Sequence, residues 1–338
     1  MTPRGEDWTE LDDGRRHAPR MFSKASLEKK LRQAAESGQT VRVTFLNFMV
    51  RDLNAKDDAG HSALWLAAAN GKTGAVRALV RKKADMHTMD GKRWTPMFAA
   101  AVNSHSGVVK VLAKAGVRPD WFYPEEASAL QYALSAGNNT VIEVLIRGGV
   151  NPDQQHGDTK NSPLNWAAIN GHKDILEIFL NGGADLENKN KHGNTPLHSG
   201  VIRGQEEIVK ILLERGANVE NENFYGNTPL HSAAFHGKKD LAELLIRSGA
   251  NVQSKNVNGL TPLCSAATNG HREVVESLIG AGADIQTRDL WGSSPLSFAR
   301  YGDHEGIVDL LRKSGAGEDI PDEDSGEAEK DIQNEDSD

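Results

Sequence analysis

The sequence predicts an all-α solenoid, a stack of helix-turn-helix units joined by hairpin-like loops. Three observations predict it. A Ser or Thr recurs at positions 62, 95, 128, 162, 195, 228, 261 and 294, always 33 residues apart except for one step of 34. Each of these residues opens a stretch with helix-start chemistry, which reads Thr-Pro-Leu in its clearest form. An apolar run at helical spacing then follows and closes on glycine. A fixed period of about 20 to 50 residues marks a stacked array rather than one globular core.

The elements of a unit follow in order. The Thr hydroxyl can accept from free backbone N–H groups at a helix start. Proline at the first helical position lacks an N–H that would have no partner there. Small residues come next (Ala167-Ala168, Ala233-Ala234, Ala266-Ala267) and let helices approach closely. Asn170-Gly171, His236-Gly237 and Asn269-Gly270 supply the left-handed residue that ends the first helix. The second helix carries runs such as Ile208, Val209, Ile211, Leu212 and Leu213, and Gly216, Gly249 and Gly282 end it. Neither helix can bury its apolar face alone, so each unit needs its neighbours.

Gly-Asn-Thr-Pro-Leu-His-Ser at 193–199, Gly-Asn-Thr-Pro-Leu-His-Ser-Ala-Ala at 226–234 and Gly-Leu-Thr-Pro-Leu-Cys-Ser-Ala-Ala at 259–267 resemble the ankyrin repeat. A glycine farther on and Gly-Ala-Asp or Gly-Ala-Asn about 20 residues after the Thr complete the likeness, which runs from Lys24 to Gly317. It implies an ankyrin-repeat solenoid with hairpin-like tips projecting from a stack of helix pairs. The predicted organisation is a polar, disordered segment at 1–24, an array at 25–317 and an acidic, disordered tail at 318–338. The array divides into units at 25–56, 57–89, 90–122, 123–156, 157–189, 190–222, 223–255, 256–288 and 289–317, of which the first and last are caps. The copies at Ser62, Thr95, Ser128 and Ser162 drift from the pattern. In the fourth unit Tyr123 and Glu126 stand where the turn Asp and Gly belong. The first unit has Lys29-Lys30 in place of Thr-Pro, with Val43, Phe45 and Leu46 on its second helix. A polar terminal unit is expected because one of its faces meets water.

Charge is unevenly distributed. The chain has a net charge of −8, yet Gly317 to Asp338 hold eleven acids and one lysine, which leaves the array near neutral. The array therefore has no overall charge that would select nucleic acid. The longest apolar stretch, Val43–Val50, is far short of the roughly 20 residues that span a bilayer, so no membrane association is expected. One cysteine, Cys264, allows no internal disulfide and fits a reducing compartment, with the cytoplasm expected and the nucleus as a second location. The polar stretch Met1–Lys24 has no apolar core of a secretory signal.

No motif calls for catalysis, a cofactor or a metal. Gly71-Lys72-Thr73 imitates the end of a phosphate loop, but Leu66 stands where an earlier glycine is needed. The twelve histidines lack the i, i+4 spacing with Glu that a zinc helix requires. The resemblance gives His198 and His231 a structural role, bonding neighbouring loops, and Cys264 replaces that histidine as a small buried residue.

Large side chains stand out at positions the resemblance assigns to the concave face. The turns offer Trp94, Phe122, Tyr123, Phe224, Tyr225, Leu260, Leu290 and Trp291. The first helices add Phe235, His236 and Tyr301, with Ile169 and Ile202 beside them. Aromatic anchors bury much area at little rotamer cost. The expected function is therefore a non-enzymatic, monomeric scaffold that binds a protein segment. The alternatives are a regulatory or substrate-recruiting adaptor subunit of an enzyme complex, or a microbial effector acting inside a host cell. A basic strip of Lys189, Lys191, His192 and Arg203 is a further candidate, open to competition between the tail and an acidic partner.

Overall fold

A computed structural model describes residues 23–117, 129–155 and 157–317. Phe122, Tyr123, the segment before Ser23 and the acidic tail lie outside the described residues. The chain divides after Val117 into two compact units. The first holds α1 (Lys24–Glu36), α2 (Thr40–Met49), α3 (Ala63–Ala69), α4 (Thr73–Arg81), α5 (Pro96–Val102) and α6 (Ser106–Lys114). The second holds α7 (Ala129–Ser135), α8 (Asn139–Arg147), α9 (Pro163–Asn170), α10 (Lys173–Asn181), α11 (Pro196–Ile202) and α12 (Glu206–Glu214). It continues with α13 (Pro229–Phe235), α14 (Lys239–Arg247), α15 (Pro262–Thr268), α16 (Arg272–Gly280), α17 (Pro295–Tyr301) and α18 (Glu305–Lys313). The described residues contain no strand.

The helix starts form as the sequence dictates. Ser62 Oγ accepts from the Trp65 N–H at 3.1 Å, and Thr95 Oγ1 from the Phe98 N–H at 3.2 Å. Ser162, Thr261 and Ser294 cap α9, α15 and α17 in the same way. Gly171 ends α9 in the left-handed region at φ 70°, and Gly216 follows α12 at φ 90°.

Packing is in series. First helices stack on first helices (α1 on α3 on α5; α9 on α11, α13, α15 and α17), and second helices on second helices. The alanine pairs are sealed between first helices, with Ala67, Ala68, Ala167, Ala168, Ala233, Ala234, Ala266 and Ala267 all fully buried. Second helices contribute the bulk of the core, including Leu79, Leu112, Leu145, Leu176, Leu212, Leu245 and Leu278. Full burial of such a side chain stabilises by roughly 1.5–3 kcal/mol.

The hairpin-like loops are tight turns tied to one another by single backbone hydrogen bonds. One expectation needs correction: the first repeat is not polar on its outward face, where Val43 and Leu46 are buried but Phe45 is 65% exposed. The 3.6-residue spacing that buries Val43 and Leu46 turns Phe45 away from α1 and α4.

Candidate functional site

The turns at Asp57, Asp90, Asn190, Asn223, Asn256 and Asp289 are each built around that one Asx side chain. Asn223 Oδ1 accepts from the N–H groups of Tyr225 (2.9 Å) and Asn227 (3.0 Å). Asn190, Asn256 and Asp289 do the same in their turns. The asparagines also join successive turns: Asn223 Nδ2 donates to Asn194 Oδ1 at 3.0 Å and Asn256 Nδ2 to Asn227 Oδ1 at 2.9 Å. The tips are then linked through backbone. Phe224 N–H donates to the His192 carbonyl, Val257 N–H to Tyr225, and Leu290 N–H to Asn258, each at 3.1 Å. This close approach needs glycine. At Gly193 (φ 79°) an added Cβ would lie 2.5 Å from the Phe224 nitrogen.

Beneath the tips runs a buried polar layer. In four repeats the residue just before the capping Ser or Thr offers its carbonyl to a side chain from the repeat before. Trp65 Nε1 donates to the Trp94 carbonyl at 2.9 Å, and Asn165 Nδ2 to Asn194 at 3.1 Å. His198 Nε2 donates to Asn227 at 2.9 Å and His231 Nε2 to Leu260 at 3.0 Å. Nε2 must carry the proton there, because a carbonyl only accepts, and Nδ1 then accepts from the Thr195 or Thr228 N–H. Burial pushes both imidazoles down to about 4, against the pull of these carbonyl bonds. The structural role expected for both histidines is therefore the one observed.

The turn residues sort by depth. Phe224 is 65% exposed, Leu290 71%, Trp291 44% and Tyr301 55%. Tyr225, Phe235 and His236 are half-buried, and the Phe235 and His236 rings meet edge to face at 5.1 Å. Leu260 is a correction: it is 5% exposed. Standing one residue before the cap, it points into the stack while its carbonyl takes the His231 bond. Trp94, in the compact unit that ends at Val117, is half-buried with its ring edge against Phe98 at 4.9 Å. Sequence reasoning missed Val257, which is 58% exposed. Its signal was register, since it stands 33 residues after Phe224 and 33 before Leu290. Together Phe224, Val257 and Leu290 form an exposed apolar stripe across three successive tips. In the basic strip, Lys189 Nζ donates to the Glu222 carbonyl at 2.6 Å and so serves the stack.

The ankyrin-repeat profile matches residues 31–121, 130–223, 164–256 and 230–324. The chain belongs to the ankyrin-repeat family. Against curated proteins the sequence finds no match. Ankyrin repeats are in general protein–protein interaction modules, and the family is typically non-enzymatic. Among the described residues, no group of three or more His, Cys, Asp or Glu could hold a metal ion, and no helix is long and apolar enough to cross a membrane. Cys264 is fully buried, and burial raises its thiol above the usual range, so this ankyrin repeat offers no activated nucleophile there.

Proposed function

We propose that this ankyrin-repeat chain is a non-enzymatic, monomeric scaffold of the cytoplasm or nucleus that grips a protein segment along the tips of the repeats at 223–255, 256–288 and 289–317. The observation that carries this reading is the stripe of Phe224, Val257 and Leu290. The turns leave more than half of each of these three side chains uncovered, although the Phe224 ring also lies against Gly193. The Asx acceptors, the glycines and the tip-to-tip backbone bonds hold the geometry. Three large apolar groups in register, each more than half exposed, suit a chain lying across several units. Trp291, Tyr225 and Tyr301 add aromatic surface of the kind enriched in binding hot spots.

The test is proximity labelling in the source cell, followed by footprinting of the captured complex. The reading expects one dominant protein partner that shields Phe224, Val257 and Leu290 from surface modification. A partner that leaves all three as reactive as in the free chain would overturn it.

A further inference from the structure

The most anomalous surface in the first unit is the outward side of α2. Val41 is 86% exposed, Phe45 65%, Phe48 71% and Met49 44%. The first three follow helical spacing and make one apolar stripe about 10 Å long at about 1.5 Å per residue. A terminal repeat ordinarily presents a polar face there. The stripe lies among cations. Arg42 lines a shallow groove with Gly38, Gln39, Thr40, Val41 and Phe45. Lys72 packs beside Gly38, and Lys82 Nζ sits 3.5 Å from the centre of the Phe48 ring.

We infer that residues 1–22 of the same chain cover this face, with Trp8 and Leu11 as anchors on the Val41–Phe45–Phe48 stripe. Two observations single out this occupant. First, Glu6-Asp7-Trp8-Thr9-Glu10-Leu11-Asp12-Asp13 sets two large apolar side chains among five acids, the complement of an apolar stripe among cations. Second, the segment is tethered at the right place. It enters the fold at Ser23, the cap of α1. The three-residue turn between α1 and α2 folds them back on each other, which sets the start of α1 beside the Phe48–Met49 end of α2. The twelve residues from Leu11 to Ser23 can span up to about 40 Å, several times the length of the stripe. A tether this short gives an effective concentration on the order of millimolar, which favours the chain's own segment over a competitor in solution. The sequence alone reads residues 1–24 as polar and disordered; the inference assigns Trp8 and Leu11 a place on α2 instead.

The test uses the full chain. Its one native thiol, Cys264, is fully buried. Val41→Cys places a second thiol on the stripe at a site exposed enough to leave the fold intact. That thiol should react with a maleimide about tenfold or more slowly than in the same chain carrying Trp8→Ser and Leu11→Ser. Arg42→Glu, which reverses one flanking charge, should restore much of the lost reactivity. Circular dichroism checks that each variant folds. Equal labelling rates with and without Trp8 and Leu11 would overturn the inference. Slow labelling that varies with protein concentration would also overturn it and assign the face to a second copy of the chain.

Discussion

The buried polar layer and the exposed tip stripe of the second unit repeat with the same 33-residue period, only a few residues apart, yet they do opposite things. In the layer Asn165, His198 and His231 each donate to a carbonyl 29 residues on. In the stripe Phe224, Val257 and Leu290 hold a register just as strict, yet each leaves more than half of its surface to solvent. Periodicity therefore does not separate structure from function. An accounting of what each side chain touches does.

If the layer is structural, breaking it should cost stability and spare binding. Acid is the strongest way to break it. His198 and His231 titrate at about 4 in the folded chain against 6.5 unfolded. Stability is therefore fully present above pH 6.5 and lost as pH falls toward 4, because the unfolded chain takes up the protons first. The expected loss is about 3 kcal/mol per histidine over that window. His198→Asn with His231→Asn should flatten the dependence, since Asn165 already makes the same bond with a group that does not titrate. Urea midpoints between pH 7 and 4 are the check, and an unchanged slope in the double variant would contradict the assignment.

A smaller effect comes from deleting one donor. His231→Leu should destabilise by about 2 kcal/mol, because the His231–Leu260 bond and the Thr228 contact go together. It should unfold earlier in denaturant yet bind its partner normally while folded. Leu212→Ala serves as the reference for core damage, at roughly 2–5 kcal/mol.

The smallest expected effect is at Cys264, where the run of Asn165, His198 and His231 ends. Cys264 stands where His231 stands one unit earlier, and its thiol meets only Thr261. Cys264→Asn should reach the Ser293 carbonyl and raise stability by about 1 kcal/mol. A loss instead, read from the same denaturation curves, would show that the α15–α17 spacing excludes the bond.

The same contrast explains what could be read in the sequence. Helix positions, caps and glycine turns were legible because Thr-Pro-Leu and the closing glycines are local chemistry. The roles of His198 and His231 were legible from their repeated place after Thr-Pro-Leu. Trp65 and Asn165 hid the same role because an indole or an amide reaches the carbonyl without resembling an imidazole. Val257 has no aromatic ring to mark it, and only its 33-residue register with Phe224 and Leu290 gives it away. Leu260 misled because one step along a tight turn reverses the direction of a side chain. On α2 the run around Phe45 is apolar on both sides, and only packing shows which side lacks a neighbour.

The central claim is that the stripe binds and does not hold the fold. Its most direct test is the affinity of the partner captured by proximity labelling for the chain carrying Phe224→Ala, Val257→Ala and Leu290→Ala, measured by calorimetry beside the unfolding midpoint of the same protein. The account predicts an unchanged midpoint and binding weakened at least about thirtyfold, the loss of a single hot spot of about 2 kcal/mol. Normal affinity in the folded triple variant would contradict it, as would a fall in stability like that of Leu212→Ala.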